Sequence, residues 1–485
     1  MRQCYEYPFS KSTLDISACS PFASGQNGAD RDASRIIIES LAIDTVASRP
    51  PACIIDLGRG GERPMARRVV FVCCDGLGRG WVDPKRTPVL DRLRGTSLWC
   101  AAHRAVFPSV TRVSAASVAT GCLPARHGLH GNRMGLVEDG RIVVRDVGKP
   151  DFRAHLRRAT GGTLLVPTIA ERVAASGGCV AFSNVSPGAA YFLDPEHFGY
   201  VYHRAGSYAP GGASIAAPDA LAVSHDLAGD REMTQRFCVE ILCERRPAVA
   251  VLWLANPDLT LHGAPLGSPA HLEALRQAER CVLDTVEVVE RLRREGEEIL
   301  LLVGSDHGQE TIGASVDLED WLRAQGLAAC VDAGDVAVAG QGTAALLYAT
   351  ERGRPALLGV LDAMRAEPWA DQVVAGQDLA DHGHVARGGI VAAVNMARQD
   401  DNNAYGVRGR RWTVAEPGKP PAIGCGQHGG WGDDEVSPFL IVNGPGCAPR
   451  ALSQPTCITD IAPTTLGFLG LPVDGFDGSP LPLAC

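Results

Sequence analysis

An α/β fold with a largely parallel central sheet flanked by helices, carrying a cap built from insertions, is the class this sequence predicts. Three observations lead to it. Short β-rich apolar runs, Val69 to Cys74, Cys179 to Val185, Ala248 to Leu254, Ile299 to Val303 and Phe439 to Val442, each end at a polar loop, as buried parallel strands do. Helical stretches alternate with them, most clearly His271 to Arg294, where Leu272, Leu275, Ala278, Val282, Val286, Val289 and Leu292 make an apolar stripe at helical spacing. Carboxylates then follow the strand runs: Asp75, Asp258 and Asp306 fall at carboxyl ends of strands, where ligands bind in such sheets.

Composition narrows the function. The 485 residues are 45% hydrophobic and 21% charged, enough to bury one large core or two modest ones. No run approaches the roughly 20 apolar residues of a membrane span, so no membrane partner is expected. Met1 to Arg31 lacks the basic start and apolar stretch of a signal peptide, so secretion is not indicated. A net charge of -9 gives no broad basic surface, which argues against nucleic-acid backbone binding and leaves any bound phosphate to be neutralised locally by metal. The 16 cysteines show no C-x-x-C pair and no disulfide framework; they read as buried free thiols in a reducing compartment, with the cytoplasm expected.

The first 64 residues mix Ser, Asp, Gly and Pro around one apolar stretch, Ile36 to Ile43, and residues 1–66 are expected to form a weakly ordered extension. Met65 stands directly before the first strand, where natural translation is expected to start. Residues 67–485 read as a single catalytic domain with insertions at about 138–246 and 311–424, at least one of which caps the site.

Five elements carry chemistry: Val69 to Asp75, Phe107-Pro108-Ser109-Val110-Thr111, Asp258-Leu259-Thr260-Leu261-His262, Ser305-Asp306-His307-Gly308 and Gln427-His428-Gly429. Together they supply three carboxylates, three imidazoles and a hydroxyl, enough to hold two divalent cations around a nucleophile. Asp75 precedes Gly76-Leu77-Gly78-Arg79-Gly80, but a dinucleotide fingerprint needs glycine where Trp81 stands and an acid about twenty residues later. It reads instead as a metal carboxylate, with glycines letting the backbone turn closely around the ion. Thr111 opens a run of small residues through Thr120 that Gly121 ends, as it would end a tightly packed helix. Its hydroxyl is either a plain N-cap or a nucleophile at a phosphate-binding helix terminus. Asp258 and His262, at i and i+4, can reach one ion; the neighbours Asp306 and His307 can serve two ions, or one ion and its surroundings. His262, His307 and His428 are each followed by glycine in a loop, where a core histidine has little reason to be. His382-Gly383-His384, beside Asp381, reads as a surface loop outside this set.

These motifs, with the closing segments Ser437 to Gly446 and Asp460 to Thr464, resemble the alkaline phosphatase superfamily and, within it, the type I phosphodiesterase/nucleotide pyrophosphatase family, over roughly Arg67 to the C-terminus. The resemblance implies an alkaline-phosphatase-like fold in which Asp258, His262 and His428 bind one metal and Asp75, Asp306 and His307 the other. Thr111 would bridge toward both as nucleophile. Asn132, in Gly128-Leu129-His130-Gly131-Asn132, matches the asparagine that holds a nonbridging phosphoryl oxygen. The implied reaction is cleavage of phosphodiester or pyrophosphate bonds in a small phosphate-ester or nucleotide-type substrate, through a phosphothreonine intermediate. Three nitrogens among six ligands favour Zn2+, with Mn2+ or Fe as alternatives.

Two departures stand out. The family's nucleotide-cleaving members often carry an aromatic residue after the nucleophile, whereas Arg112 follows Thr111 and either reaches a substrate phosphate or carboxylate or forms a salt bridge. The phosphonoacetate hydrolase branch uses cap lysines, and only Lys149 lies between Thr111 and Asp258. His203 and Arg204 are the candidates for equivalent substrate contacts. A phosphonoacetate-hydrolase-like or phosphomonoester activity is the alternative on the same metals; a sulfatase is disfavoured because no Cys/Ser-x-Pro-x-Arg motif surrounds Thr111.

Overall fold

The computed structural model describes residues 67–416 and 418–483; the extension expected at 1–66, with Met65, lies outside them. Every residue after Arg67 in the first strand, Arg67–Cys74, is buried. Side chains alternate across the sheet, sending Val69, Phe71 and Cys73 into one apolar layer and Val70, Val72 and Cys74 into the other. Burial on both faces explains why the run is continuously hydrophobic.

That strand lies at the centre of a ten-stranded sheet. Its neighbours, Glu298–Gly304 and Val249–Leu254, run parallel to it, and Cys179–Ser183 and Tyr200–His203 continue the parallel order on one side. On the other side Leu440–Asn443 pairs antiparallel with Glu298–Gly304, and Leu98–Arg104 and Arg450–Cys457 complete the edge. Thr111–Thr120 packs Val113, Ala115 and Val118 on one face, beside Ile461 and Leu466 of the closing helix Ile461–Phe468. Pro269–Arg294 covers the opposite face with Leu275, Ala278, Val282, Val289 and Leu292. Its start is fixed by Ser268, whose side chain accepts from the His271 N–H, and by Pro269 in the first turn.

The two stretches expected as insertions differ. Residues 138–246 run partly through the main sheet, because Cys179–Ser183 and Tyr200–His203 are strands of it; the apolar run from Cys179 finds its burial against Val249–Leu254 rather than in a separate cap. Residues 311–424 instead build most of two smaller sheets. One is antiparallel, ordered Val336–Gly340, Ala344–Ala349, Ile390–Met396, Ala370–Ala375, over its own core of Val338, Leu347, Trp369 and Val394. The other pairs Glu310–Val316 with Arg408–Val414 and with the two-residue strand Gly426–Gln427. This last pairing sets Glu310 opposite Gln427 and so draws the His428 loop against the His307 loop, across more than a hundred residues of chain.

Candidate active site

Each candidate ligand stands where a strand has just ended. Asp75 follows Arg67–Cys74, Asp258 and His262 sit on a single helical turn shortly after Val249–Leu254, and Asp306 and His307 follow Glu298–Gly304. Gly76 lets the first two approach: it adopts φ +71°, and a Cβ there would meet the Asp258 Cβ at 2.9 Å. Because the strand ends at Gly304, Asp306 and His307 lie in a loop where strand alternation does not apply, and both point to one place, with His307 Nε2 3.2 Å from Asp306 Oδ2 and 3.5 Å from Asp75 Oδ1.

Asp75, Asp306 and His307 thus form one tight triad, all buried. Asp258 centres a second. His262 Nε2 lies 3.3 Å from its Oδ2 and His428 Nε2 3.3 Å from its Oδ1. The triads touch through the imidazoles of His307 and His428, stacked with centroids 3.8 Å apart, and Asp258, His307 and His428 themselves lie within one ligand-sized cluster.

The surrounding hydrogen bonds decide which atoms face inward. His428 Nδ1 is 2.7 Å from the Ser109 carbonyl and His307 Nδ1 is 3.0 Å from the Gly308 carbonyl. Carbonyls only accept, so both Nδ1 atoms carry the proton and both Nε2 lone pairs face the carboxylates. Lone pairs and carboxylate oxygens about 3.3 Å apart repel unless a cation sits among them, and that spacing is the edge of a tetrahedron with metal–ligand distances of about 2.0–2.1 Å. Asp306 Oδ2 is buried with no hydrogen-bond partner among the described residues, whereas its Oδ1 accepts from the Gly76 N–H at 3.1 Å. The residues present therefore fit a pair of divalent cations.

Protonation follows the same logic. Burial pushes the Asp306 carboxyl up to about 7, and it raises Asp75 well above the carboxylate range, with the charges of Asp306 and Asp258 adding to it. Burial holds His307 down to about 4 and His428 to about 3, keeping both neutral, as metal ligands must be. Asp258 behaves oppositely: burial would raise it, but His262 and His428 outweigh burial and lower it, while Asp258 in turn raises His262 against the effect of burial.

Thr111 lies between the triads and the helix it begins. Val110, not Thr111, occupies the cap position, and no side chain caps this helix. The Thr111 hydroxyl is 3.4 Å from Asp75 Oδ1 and 3.2 Å from His307 Nε2. The plain N-cap use of this hydroxyl is thereby excluded.

A family model described as type I phosphodiesterase/nucleotide pyrophosphatase matches residues 69–394. The chain belongs to this family. A search of curated proteins finds no match. Among solved structures, the chain is similar to murine ectonucleotide pyrophosphatase/phosphodiesterase 5 in an inactive form in complex with AMP, at a TM-score of 0.61 and 16% identity, covering 85% of this chain and 97% of that one. It is likewise similar to the human protein of that name, at a TM-score of 0.60, 16% identity and the same coverage of 85% and 97%. At such identity the likeness establishes the fold. The family is one of hydrolases that use divalent metals, so the chain is a phosphodiesterase/nucleotide pyrophosphatase-type hydrolase.

In this family member Asn132 is held on both sides. Its N–H donates to Gln341 Oε1 at 2.7 Å and its carbonyl accepts from Arg112 Nη1 at 2.8 Å, while its own Oδ1 is buried without a partner among the described residues. Arg112 takes the salt-bridge option, with Nη1 2.6 Å from Asp146 Oδ1. Arg112 and Asn132 line a cavity of about 620 Å³ that also reaches His262 and His428.

His203 and Arg204 do not line that cavity. His203 is fully buried, donates from Nε2 to the Val185 carbonyl at 2.9 Å, and accepts the Ala205 N–H on Nδ1, so neither ring nitrogen is left for a substrate. Arg204 spends Nη1 on the carbonyls of Asn184 and Val185. His384 is no surface residue either: it is buried and bonds the Phe107 carbonyl at 3.0 Å, while His382 packs against Trp431 with ring centroids 4.2 Å apart. Both histidines brace the loop that carries Thr111.

Sequence reasoning missed four supports of the site. Trp253 Nε1 donates to Asp75 Oδ2 at 3.1 Å, and Gln309 Nε2 donates to Asp258 Oδ1 at 2.6 Å. Ser109 accepts from His428 through its carbonyl, and Gln341 holds Asn132. Ser109 stands two residues before Thr111 and Gln309 two after His307, so adjacency to the motifs was a signal for both; Gln341 has none.

Proposed function

We propose that the chain hydrolyses phosphodiester or pyrophosphate bonds of a small phosphate-ester or nucleotide-type substrate through Thr111. The observation that carries this reading is the Thr111 hydroxyl, free of any capping duty and 3.2–3.4 Å from His307 and Asp75. Asp75, Asp306 and His307 would hold one divalent cation, and Asp258, His262 and His428 the other; the nitrogen-rich set favours zinc, with manganese or iron as alternatives. Bound there, such ions would lower the hydroxyl pKa and neutralise the phosphoryl charge.

The chain's own residues do the rest. Thr111 Oγ1 loses its proton and forms the bond to phosphorus as the bond to the leaving group breaks. The Asn132 amide nitrogen, set by Arg112 and Gln341 on its backbone, donates to a nonbridging oxygen as charge grows on it. Water then cleaves the phosphothreonine and restores the hydroxyl. Residues 311–424 act as the cap, since Ile312, Gly340–Gly342, Thr413–Glu416 and Lys419–Ala422 contribute walls of the cavity. The described cysteines are all free thiols, which supports a reducing, cytoplasmic location.

Turnover of bis-p-nitrophenyl phosphate by the zinc-loaded protein tests the proposal. Thr111→Ala should lose about 10³-fold or more in kcat while keeping its metal content. A variant that retains wild-type kcat would end the assignment.

A further inference from the structure

Asp258 and His262 are carried by a helical turn, Asp258–Leu261, that is too short to hold its own shape. It is fixed from outside. The Asp258 N–H donates to the Asp75 carbonyl at 3.0 Å, the Leu259 N–H to the Ala255 carbonyl at 2.9 Å, and the Thr260 hydroxyl to Asn256 Oδ1 at 2.7 Å. Two of those anchors, Ala255 and Asn256, are themselves held by one side chain.

That side chain is Asp230, on the helix Leu227–Arg236. It is 3% exposed and has no ion pair among the described residues. Its carboxylate accepts hydrogen bonds from neutral groups instead. Asn184 Nδ2 at 2.9 Å and the Ala255 N–H at 3.1 Å reach Oδ1, while the Asn256 N–H at 3.0 Å and Asn256 Nδ2 at 2.9 Å reach Oδ2. A buried charge is costly unless it is fully hydrogen-bonded, and an ionised carboxylate accepts at both oxygens while presenting no donor, so this convergence of N–H groups calls for an acid. Asn184 follows the strand Cys179–Ser183 and Ala255 follows its sheet neighbour Val249–Leu254, so Asp230 joins the carboxyl ends of two adjacent strands. Because the carboxylate only accepts, Asn256 turns its Nδ2 to Asp230 and leaves its Oδ1 for the Thr260 hydroxyl.

We infer that Asp230 is a positioning residue for the metal ion at Asp258, His262 and His428, acting through Asn256 and Thr260 to hold the turn that carries two of that ion's three ligands. The inference rests on the two-ion reading of the site above. The side chains of Asp75, Asp306 and His307 make no hydrogen bond to Asp230, Asn256 or Thr260 among the described residues, so the effect falls on one ion of the two. Partners behind a metal ligand of this kind are worth about 10- to 100-fold in metal affinity.

Zinc release from the loaded full chain to a competing chelator tests this. The wild type should hold two ions. Asp230→Asn turns an amide N–H toward groups that are themselves donors, and should weaken one ion about 10- to 100-fold while the second is held as in the wild type. Thr260→Val keeps the shape of its side chain and removes only the hydroxyl link; it should weaken one ion about 10-fold, and Thr260→Ser should restore it. A merely structural role would loosen both ions together and would not be rescued by serine alone. If Asp230→Asn does not fold, the two Thr260 variants decide.

Thr260→Val with both ions held as in the wild type, or with both weakened equally, would overturn the inference and leave the proposed function standing. A wild type that holds two zinc ions without turning over bis-p-nitrophenyl phosphate would end the proposed function and not this inference. A wild type that holds fewer than two would end both.

Discussion

The two halves of the candidate metal centre are built alike in residue type and differently in setting. Asp75, Asp306 and His307 are sealed: their side chains are 0–2% exposed, and Trp253 and the Gly76 N–H hold both acids. In the other half His262 and His428 line the cavity, with the His262 side chain 40% exposed, Asp258 13% and His428 4%. The sealed half also holds the nucleophile, since the Thr111 hydroxyl hydrogen-bonds Asp75 and His307. The contrast suits a division of labour in which the sealed site holds the attacking oxygen and the open one meets substrate and solvent.

Substituting one ligand in each half breaks that comparison most sharply. Asp306→Asn, in the sealed half, should cost the bound metal and about 10³-fold or more in kcat, without recovery in excess zinc. His262→Ala, in the open half, should cost about 10- to 100-fold and recover as zinc is added, because its ring is reachable from solvent. Metal titration followed by rate measurement decides between them. Equal losses with equal recovery would mean that the difference in burial has no functional weight.

A substitution that strikes both halves at once comes next. Arg411 is buried between Glu310 and Glu435, with Nε 2.7 Å from Glu310 Oε2 and 2.9 Å from Glu435 Oε1. Glu310 follows the His307 loop, and Glu435 accepts the Gly430 N–H just after His428, so this one guanidinium ties the sealed loop to the open one. Arg411→Met leaves the buried Glu435 without an ion pair among the described residues and Glu310 with only Arg398, 3.6 Å away, and should destabilise the fold by about 3–5 kcal/mol in denaturant titration. A loss below about 1 kcal/mol would show that the bracket is not what joins the loops.

The smallest effect concerns the support beneath both halves. Burial holds His384 down to about 3 and His130 to about 4, so both stay neutral in the folded protein. In the unfolded chain they protonate near pH 6.5, so below that pH the unfolded state binds more protons and folding stability falls with pH. Each should contribute about 1.4 kcal/mol of loss per pH unit from about 6.5 down to its folded value. Thermal unfolding of wild type against His384→Gln between pH 7 and 5 reads this: the variant should show a shallower pH slope, and parallel slopes would refute the assignment.

Much of this architecture is legible in the order of residues alone, for a physical reason. A buried parallel strand must be continuously apolar and must stop where polar groups begin, so Asp75 and Asp306 are marked by the ends of their own strands. Glycine beside a histidine marks His262 and His428 in the same local way. What depends on distant pairing is not marked. The apolar run at Cys179 reads as a strand, but nothing local says that it joins the sheet next to Val249–Leu254 rather than a cap. His384 looks like part of an exposed glycine-rich loop, and only the Phe107 carbonyl, 277 residues away, explains its burial. His203 shows the converse: a histidine beside an arginine suggests a substrate contact, but its two nitrogens are consumed by the turn that follows it and by the Val185 carbonyl. The use of the Thr111 hydroxyl was open in the sequence and turns on one residue of helix register, because Val110 takes the cap position.

Stereochemistry at phosphorus tests most directly whether Thr111 carries the phosphoryl group. Hydrolysis in 18O-labelled water of a diester chiral at phosphorus should proceed with net retention, because attack by Thr111 and then by water each invert the centre. Net inversion would mean that water attacks the substrate in a single step and that Thr111 is not the nucleophile.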